Sequence, residues 1–253
     1  MSVAIITGAS SGLGEEFVRA VIDERPDIEE LWLIARRKDR LEEIVKSYPQ
    51  RKFKILSVDL SAVDEIKAIE FTLSAEKPDI RLLINNAGMV ASNSFRSLDL
   101  QMQEKMISLN SIAPTALIHF ALPYMKSGSA IINVCSVAGF APTPDMLVYS
   151  STKAYLYNFT KGLRAELRQD GIHVLALCPG NMRTEMFTMP AAPCEHKSIV
   201  NLLPFLNIKK VTRRALRLAR RNRGVYTPHF FYKCYRLIAK IIPHEVLVYF
   251  SKV

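Results

Sequence analysis

The strongest constraint on this chain is a rhythm in which short, unbroken runs of Val, Ile and Leu recur between longer amphipathic stretches. "VAIIT" (3–7), "LWLIA" (31–35), "FKILSV" (53–58), "LLIN" (82–85), "AIINVC" (130–135), "HVLAL" (173–177) and the short "GVYT" (224–227) each have the length of a strand. A strand that is apolar on both sides is buried on both faces, the condition of a parallel sheet covered by helices. Helices are expected near 13–23, 38–47, 61–75, 99–125, 150–168 and 211–222. Such alternation implies repeated βαβ units, hence an α/β, doubly wound, mostly parallel seven-stranded sheet with helices on both faces. The 253 residues contain no linker or repeat that would divide them, so one domain over 1–253 is expected. In such sheets ligands bind beyond the carboxyl ends of the strands, which directs attention to the loops that follow each run.

The first of these loops is "TGASSGLG", Thr7 to Gly14. Glycines there permit a tight turn and let a pyrophosphate reach the backbone N–H groups at a helix N-terminus. The spacing Gly8, Gly12, Gly14 departs from GxGxxG, and the Gly-Lys-Ser/Thr ending of a P-loop is missing, which disfavours a nucleoside triphosphatase. The second run ends in "ARRKDR". A carboxylate at that strand end would hold the ribose hydroxyls of NAD, whereas arginine pairs with the extra 2′-phosphate of NADP. Arg36 and Arg37 stand there with no acid before Asp39, so NADP(H) is expected in preference to NAD(H).

Further segments follow in order: "NNAG" (85–88), Asn110, Ser136 with "YSSTK" (149–153), and "PGNMRT" (179–184). Together with "TGASSGLG", this ordered set over residues 1–190 resembles the short-chain dehydrogenase/reductase family. The resemblance implies a Rossmann-type fold, a nicotinamide cofactor, and association as a homodimer or homotetramer through the helices near 99–125 and 150–168. It places Gly8, Gly12, Leu13 and Gly14 in the dinucleotide turn, with Ser10 and Ser11 near the adenosine phosphate and Asp59 and Leu60 by the adenine. Asn86, Ala87 and Gly88 would pass the cofactor ribose, and Pro179, Gly180, Met182 and Thr184 would hold the nicotinamide. Met182 stands where the family more often has Val or Ile. The implied catalytic set is Asn110, Ser136, Tyr149 and Lys153. In that set Ser136 hydrogen-bonds the substrate oxygen and Tyr149 gives or takes its proton. Lys153 holds the nicotinamide ribose and tunes Tyr149, and Asn110 supports a proton-relay water.

Elementary chemistry is compatible with that assignment. A free phenol titrates near 10 and an ammonium near 10.4, so both are idle near neutrality unless their surroundings act on them. Tyr149 and Lys153 stand at i and i+4 on one helix face. A usable phenolate needs a shift worth roughly 4 kcal/mol, which one charge at about 4 Å can supply in an environment of effective dielectric about 20.

The formal charge of +10 is concentrated at one end: residues 1–190 hold 21 Lys and Arg against 22 Asp and Glu, residues 191–253 hold 13 against 2. A basic patch of this kind suits phosphate groups or a membrane surface; nucleic-acid binding through the whole chain is not expected. In "VTRRALRLARRNR" (211–223), Val211, Ala215, Leu218 and Ala219 are expected to share a buried face, with the arginines largely turned away. The following "HFFYKCYRLIAKIIPHEVLVYFSKV", if helical, has a broad apolar face beside a cationic stripe, with three readings open: it closes a substrate pocket, packs on a second subunit, or lies in a membrane interface. Residues 186–253 thus read as a substrate lid and a basic, apolar extension, and the substrate as an apolar ketone or alcohol of acyl, steroid or aryl type. No uncharged apolar run of the length of a spanning helix is expected, nor a signal peptide, which points to the cytoplasm, with or without peripheral membrane contact. Cys135, Cys178, Cys194 and Cys234 are scattered, and the five histidines lack paired spacing, so no metal site is expected. The rival reading is a dinucleotide-binding regulator or scaffold on the same fold without turnover.

Overall fold

The rhythm of apolar runs becomes a seven-stranded sheet in the computed structural model, which describes residues 1–185 and 203–250. The chain runs through β1 (Ser2–Thr7), α1 (Gly12–Glu24), β2 (Glu30–Ala35), α2 (Lys38–Lys46), β3 (Lys52–Ser57), α3 (Val63–Glu76) and β4 (Asp79–Asn85). It continues through α4 (Leu100–Ile107), a π-helical turn (Ser108–Ile112), α5 (Ala113–Ala121), β5 (Met125–Val134), a 3-10 turn (Val137–Phe140), α6 (Leu147–Glu166) and β6 (His173–Leu177). The remaining described elements are α7 (Ile208–Arg220), β7 (Val225–Tyr226), α8 (Phe230–Ile241) and α9 (His244–Phe250). The strand order is β3-β2-β1-β4-β5-β6-β7, and every pairing is parallel. The order reverses between β1 and β4, so a crevice opens where the chain leaves these two strands.

Both faces of the sheet are buried, because alternate side chains of each strand enter different layers. Ala4 and Ile6 pack with Phe17 and Val21 of α1 and Ala215 of α7. Val3 and Ile5 pack with Ile66 of α3, Leu117 of α5 and Leu163 of α6. Among the described residues, Asp99 caps α4 by accepting from Met102 N at 3.1 Å, Asn207 caps α7 by accepting from Lys210 N at 3.0 Å, and His229 caps α8 by accepting from Phe231 N at 3.3 Å. In α7, Leu216 is fully buried while Leu218 lies at the margin of the core, a difference of two residues from the expected face. Arg213 is not turned away into solvent; it pairs with Asp23 at 2.6 Å and so ties α7 to the end of α1.

Two expectations need correction. The helix expected over 99–125 is interrupted by the π turn at 108–112, which shifts the register around Asn110. The same run, Leu100–Tyr124, is long and apolar enough by length and composition to cross a membrane, contrary to the expectation that no such run exists. Its Ala113, Leu117, Ile118 and Ala121 are nevertheless buried against the sheet, the environment of a helix inside an α/β domain.

Candidate active site

The carboxyl ends of β1 and β4 are joined by a compact set of hydrogen bonds. The Thr7 hydroxyl accepts from Asn86 N at 3.0 Å and Ala87 N at 2.9 Å, and Asn86 Nδ2 donates to Thr7 O at 3.0 Å. Each such bond contributes on the order of 1 kcal/mol net and fixes the two loops relative to one another. Gly8 has φ +64° and Gly12 φ +53°, in the left-handed region. A Cβ on Gly14 would lie 2.0 Å from Gly8 O, so only glycine lets the first turn of α1 rest on the loop. Leu13 is buried in the core beneath it, and Thr184 packs 3.2 Å from where a Gly12 Cβ would stand.

Arg37 Nη2 lies 3.3 Å from Ser10 Oγ and pairs with Glu185 at 2.9 Å; the guanidinium holds the Glu185 carboxyl below its usual range. Arg36 is more exposed and stands 3.8 Å from Asp59. The Asp59 carboxylate also accepts from Ser61 N at 2.9 Å and from its hydroxyl at 2.7 Å. Leu60 differs from the expectation in one respect: its side chain enters the core with Ile66 and Ile69, leaving only its backbone for a ligand.

Ser136, Tyr149 and Lys153 come together where β5 ends and α6 begins. Ser136 caps the 3-10 turn, its hydroxyl accepting from Ala138 N at 3.1 Å, and its side chain stands beside the Tyr149 phenol. A Cβ on Gly139 would lie 2.7 Å from the Lys153 carbonyl, so this glycine permits the turn to touch the backbone of α6. Lys153 is buried, donates from Nζ to Val134 O at 3.0 Å, and stands 5.9 Å from the Tyr149 ring centroid. Burial pushes the Tyr149 phenol up, opposed by the Ser136 hydrogen bond. Burial also pushes Lys153 down, to about 8. Lys153 Nζ stands near the Tyr149 ring while bonded to a backbone carbonyl.

Asn110, buried in the π turn, accepts from Met89 N at 2.9 Å and donates to Met89 O at 2.9 Å and Thr152 Oγ1 at 3.1 Å. It thereby anchors the segment after "NNAG" to α6. Single π turns inside helices occur frequently at functional sites. Asn110 and Lys153 approach each other across Gly88, where a Cβ would lie 3.0 Å from Asn110 Oδ1 and 3.3 Å from Lys153 Nζ.

The last predicted loop is held by segments on both sides of it in the chain. Pro179 O accepts from Val137 N at 3.0 Å, and Met182 pairs with Leu206 in a short parallel bridge. A Cβ on Gly180 would fall 2.1 Å from the ring of Tyr232. The Tyr232 hydroxyl accepts from Asn181 N at 3.2 Å and donates to Pro204 O at 2.8 Å. Sequence reasoning passed over Tyr232 and Thr152, whose partners lie 51 and 42 residues away. It also read the cysteines as scattered, yet Cys135 and Cys178 share one buried cluster just past the ends of the neighbouring strands β5 and β6, their thiols donating to Asn133 O and Ala176 O, and burial holds the Cys178 thiol well above its usual range. Of the segment expected as lid and extension over 186–253, residues 186–202, with Cys194 and His196, lie outside the described residues.

Comparison with known proteins agrees with this architecture. The family model described as short chain dehydrogenase matches residues 2–192. An uncharacterized oxidoreductase of Staphylococcus saprophyticus is 32% identical over 191 residues, 73% of this chain and 80% of that one. A short-chain dehydrogenase from Sphingobium yanoikuyae, solved in complex with NADPH, is 30% identical with a TM-score of 0.78, covering 96% of this chain and 97% of its own. The bulky-bulky ketone specific alcohol dehydrogenase from Comamonas testosteroni is 27% identical with a TM-score of 0.74, covering 96% and 95%. With a seven-stranded parallel sheet, a glycine turn stapled to "NNAG", and a match over three quarters of its length, the chain belongs to the short-chain dehydrogenase family of oxidoreductases.

Proposed function

We propose that this protein interconverts a ketone and a secondary alcohol on an apolar substrate, using NADP(H). The observation that carries the reading is the convergence of Ser136 and Tyr149 beside the buried Lys153, whose Nζ stands 5.9 Å from the Tyr149 ring centroid. It stands at the carboxyl edge of the sheet, beyond the glycine cradle. The residues present fit a dinucleotide: Gly8 and Gly12 take left-handed backbone, and Gly8 and Gly14 let the loop after β1, the start of α1 and the loop after β4 pack at Cβ-excluding distance, which leaves the backbone N–H groups at the start of α1 for phosphate. Gly8, Ser10, Ser11, Gly12 and Gly14 would hold its phosphates, Asp59 and the Leu60 backbone its adenine end, and Asn86, Ala87 and Gly88 its ribose. Pro179, Gly180, Met182 and Thr184 would position its ring. When bound, the nicotinamide supplies the hydride acceptor or donor.

The chain's own residues handle the oxygen and its proton. Ser136 donates a hydrogen bond to the carbonyl oxygen, and Tyr149 protonates that oxygen as charge develops on it, or removes the hydroxyl proton in the reverse direction. Lys153 holds a ribose hydroxyl and contributes positive charge near the phenol. Asn110 holds the loop and α6 in the register that lets a water chain reach Lys153. Preference for NADP(H) rests on Arg37, which already engages Ser10 and a carboxylate, and on exposed Arg36; the Sphingobium neighbour is an NADPH complex. The apolar ketone is favoured by the Comamonas neighbour's specificity. We further assign subunit contact to the groove of about 960 Å³ lined by Phe95, Ile107, Ile112, Leu147 and Tyr155, on a protein working in the cytoplasm.

The test is steady-state NADPH oxidation over a panel of acyl, steroid and aryl ketones with wild type and Tyr149→Phe. Turnover with at least one bulky ketone is expected, falling at least about 100-fold in the variant while NADPH still binds. Full turnover by Tyr149→Phe would remove the mechanism.

A further inference from the structure

Helix α8 is oriented the opposite way from an ordinary surface helix. Tyr232 and Ala239, half a turn away from its outer side, are buried. Phe230, Leu237 and Ile241 fall within about 40° of one another at helical spacing and face outward, 77%, 61% and 73% exposed. Past Pro243, Val246 and Tyr249 on α9 are exposed as well. Single exposed apolar side chains are ordinary, but an outward apolar stripe on one helix with further exposed apolar residues on the next marks a docking surface.

Charge selects the partner. Lys233 and Lys240 are exposed on one flank of the apolar stripe, and residues 191–253 carry 13 Lys and Arg against 2 Asp and Glu. An apolar stripe edged by lysine is the pattern of a helix lying in the headgroup layer of an anionic bilayer. A second copy of the chain fits less well: an isologous contact would join two surfaces with the same cationic edge, and α8 has no carboxylate to meet it. The groove on α4 to α6, by contrast, has no Lys or Arg in its lining and suits a protein partner. We propose that α8 and α9 form a peripheral docking surface for anionic lipid.

The inner side of α8 gives this surface a role. Tyr232 backs Gly180 and bonds Asn181 and Pro204, so the lipid-facing helix is also the support of the loop beside the proposed reaction site. An apolar ketone partitioned in the bilayer would enter close to Tyr149. The docking surface stands without the proposed reaction; only its use in substrate delivery rests on that reading.

The full chain is tested by co-sedimentation with vesicles of phosphatidylcholine alone or with about 30 mol% phosphatidylglycerol, at low and high salt. Binding at least about tenfold stronger to the anionic vesicles, weakened by salt, is expected. Leu237→Glu with Ile241→Glu should lower binding at least about tenfold at an unchanged thermal midpoint. Lys233→Gln with Lys240→Gln keeps the apolar stripe and should lose the anionic preference, which decides the matter if the first variant proves insoluble. The proposal is overturned by absence of binding to anionic vesicles, by equal binding of all variants, or by a lipid-free dimer that the glutamate pair converts to monomer. NADPH oxidation with a water-soluble ketone, measured in parallel without vesicles, reports the reaction separately.

Discussion

A lysine held in a buried site at about 8 costs the folded protein stability at neutral pH, and the cost can be measured. In the unfolded chain Lys153 keeps its proton to about 10.5, whereas in the folded chain it gives it up near 8. Between these values the unfolded state binds more protons, so unfolding free energy rises with pH. The penalty is present in full below about 8 and vanishes as pH passes 10.5. The difference corresponds to about 3 kcal/mol, of which about 2.5 kcal/mol is released between pH 7 and pH 10. Lys153→Met preserves length and apolar packing but removes the titration. Loss of the bond to Val134 O adds a cost that does not vary with pH and cancels from the comparison. Urea unfolding of wild type and variant at pH 7, 8, 9 and 10 should therefore show wild type gaining about 2 to 3 kcal/mol relative to Lys153→Met across the range. The variant should also lose turnover at every pH. A stability difference flat to within about 0.5 kcal/mol would refute the burial argument and place the charged ammonium in a well-solvated or well-paired site.

Two further substitutions probe the cofactor side. Arg37→Ala removes a charge-assisted contact and should weaken NADPH about 10- to 100-fold while leaving NADH within about twofold; fluorescence titration of both nucleotides distinguishes this, and equal weakening of both would point to a structural role beside Ser10. Tyr232→Phe keeps the ring against Gly180 but loses the bonds to Asn181 N and Pro204 O. It should reduce kcat/KM about tenfold with a stability loss near 1 kcal/mol, and restored kinetics in Tyr232→Phe relative to Tyr232→Ala would show that the ring alone positions the loop.

The parts of this protein readable along the chain are those whose physics is local. Runs such as "LWLIA" identify strands because a parallel strand buried on both faces needs no polar residue, and the i, i+4 spacing of Tyr149 and Lys153 brings them to one helix face in any fold. The glycines of "TGASSGLG" are legible because a left-handed turn and a backbone approach exclude a Cβ. Contacts between distant segments were not legible in this way. The π turn at Asn110 depends on bonds to Met89 and Thr152, and the meeting of Cys135 with Cys178 depends on which strands become neighbours. Spacing revealed an apolar face on α8 but not its direction, because periodicity defines the faces of a helix without saying which one meets the core. Only packing against Gly180 and Phe140 turned Tyr232 and Tyr235 inward and left Phe230, Leu237 and Ile241 outside.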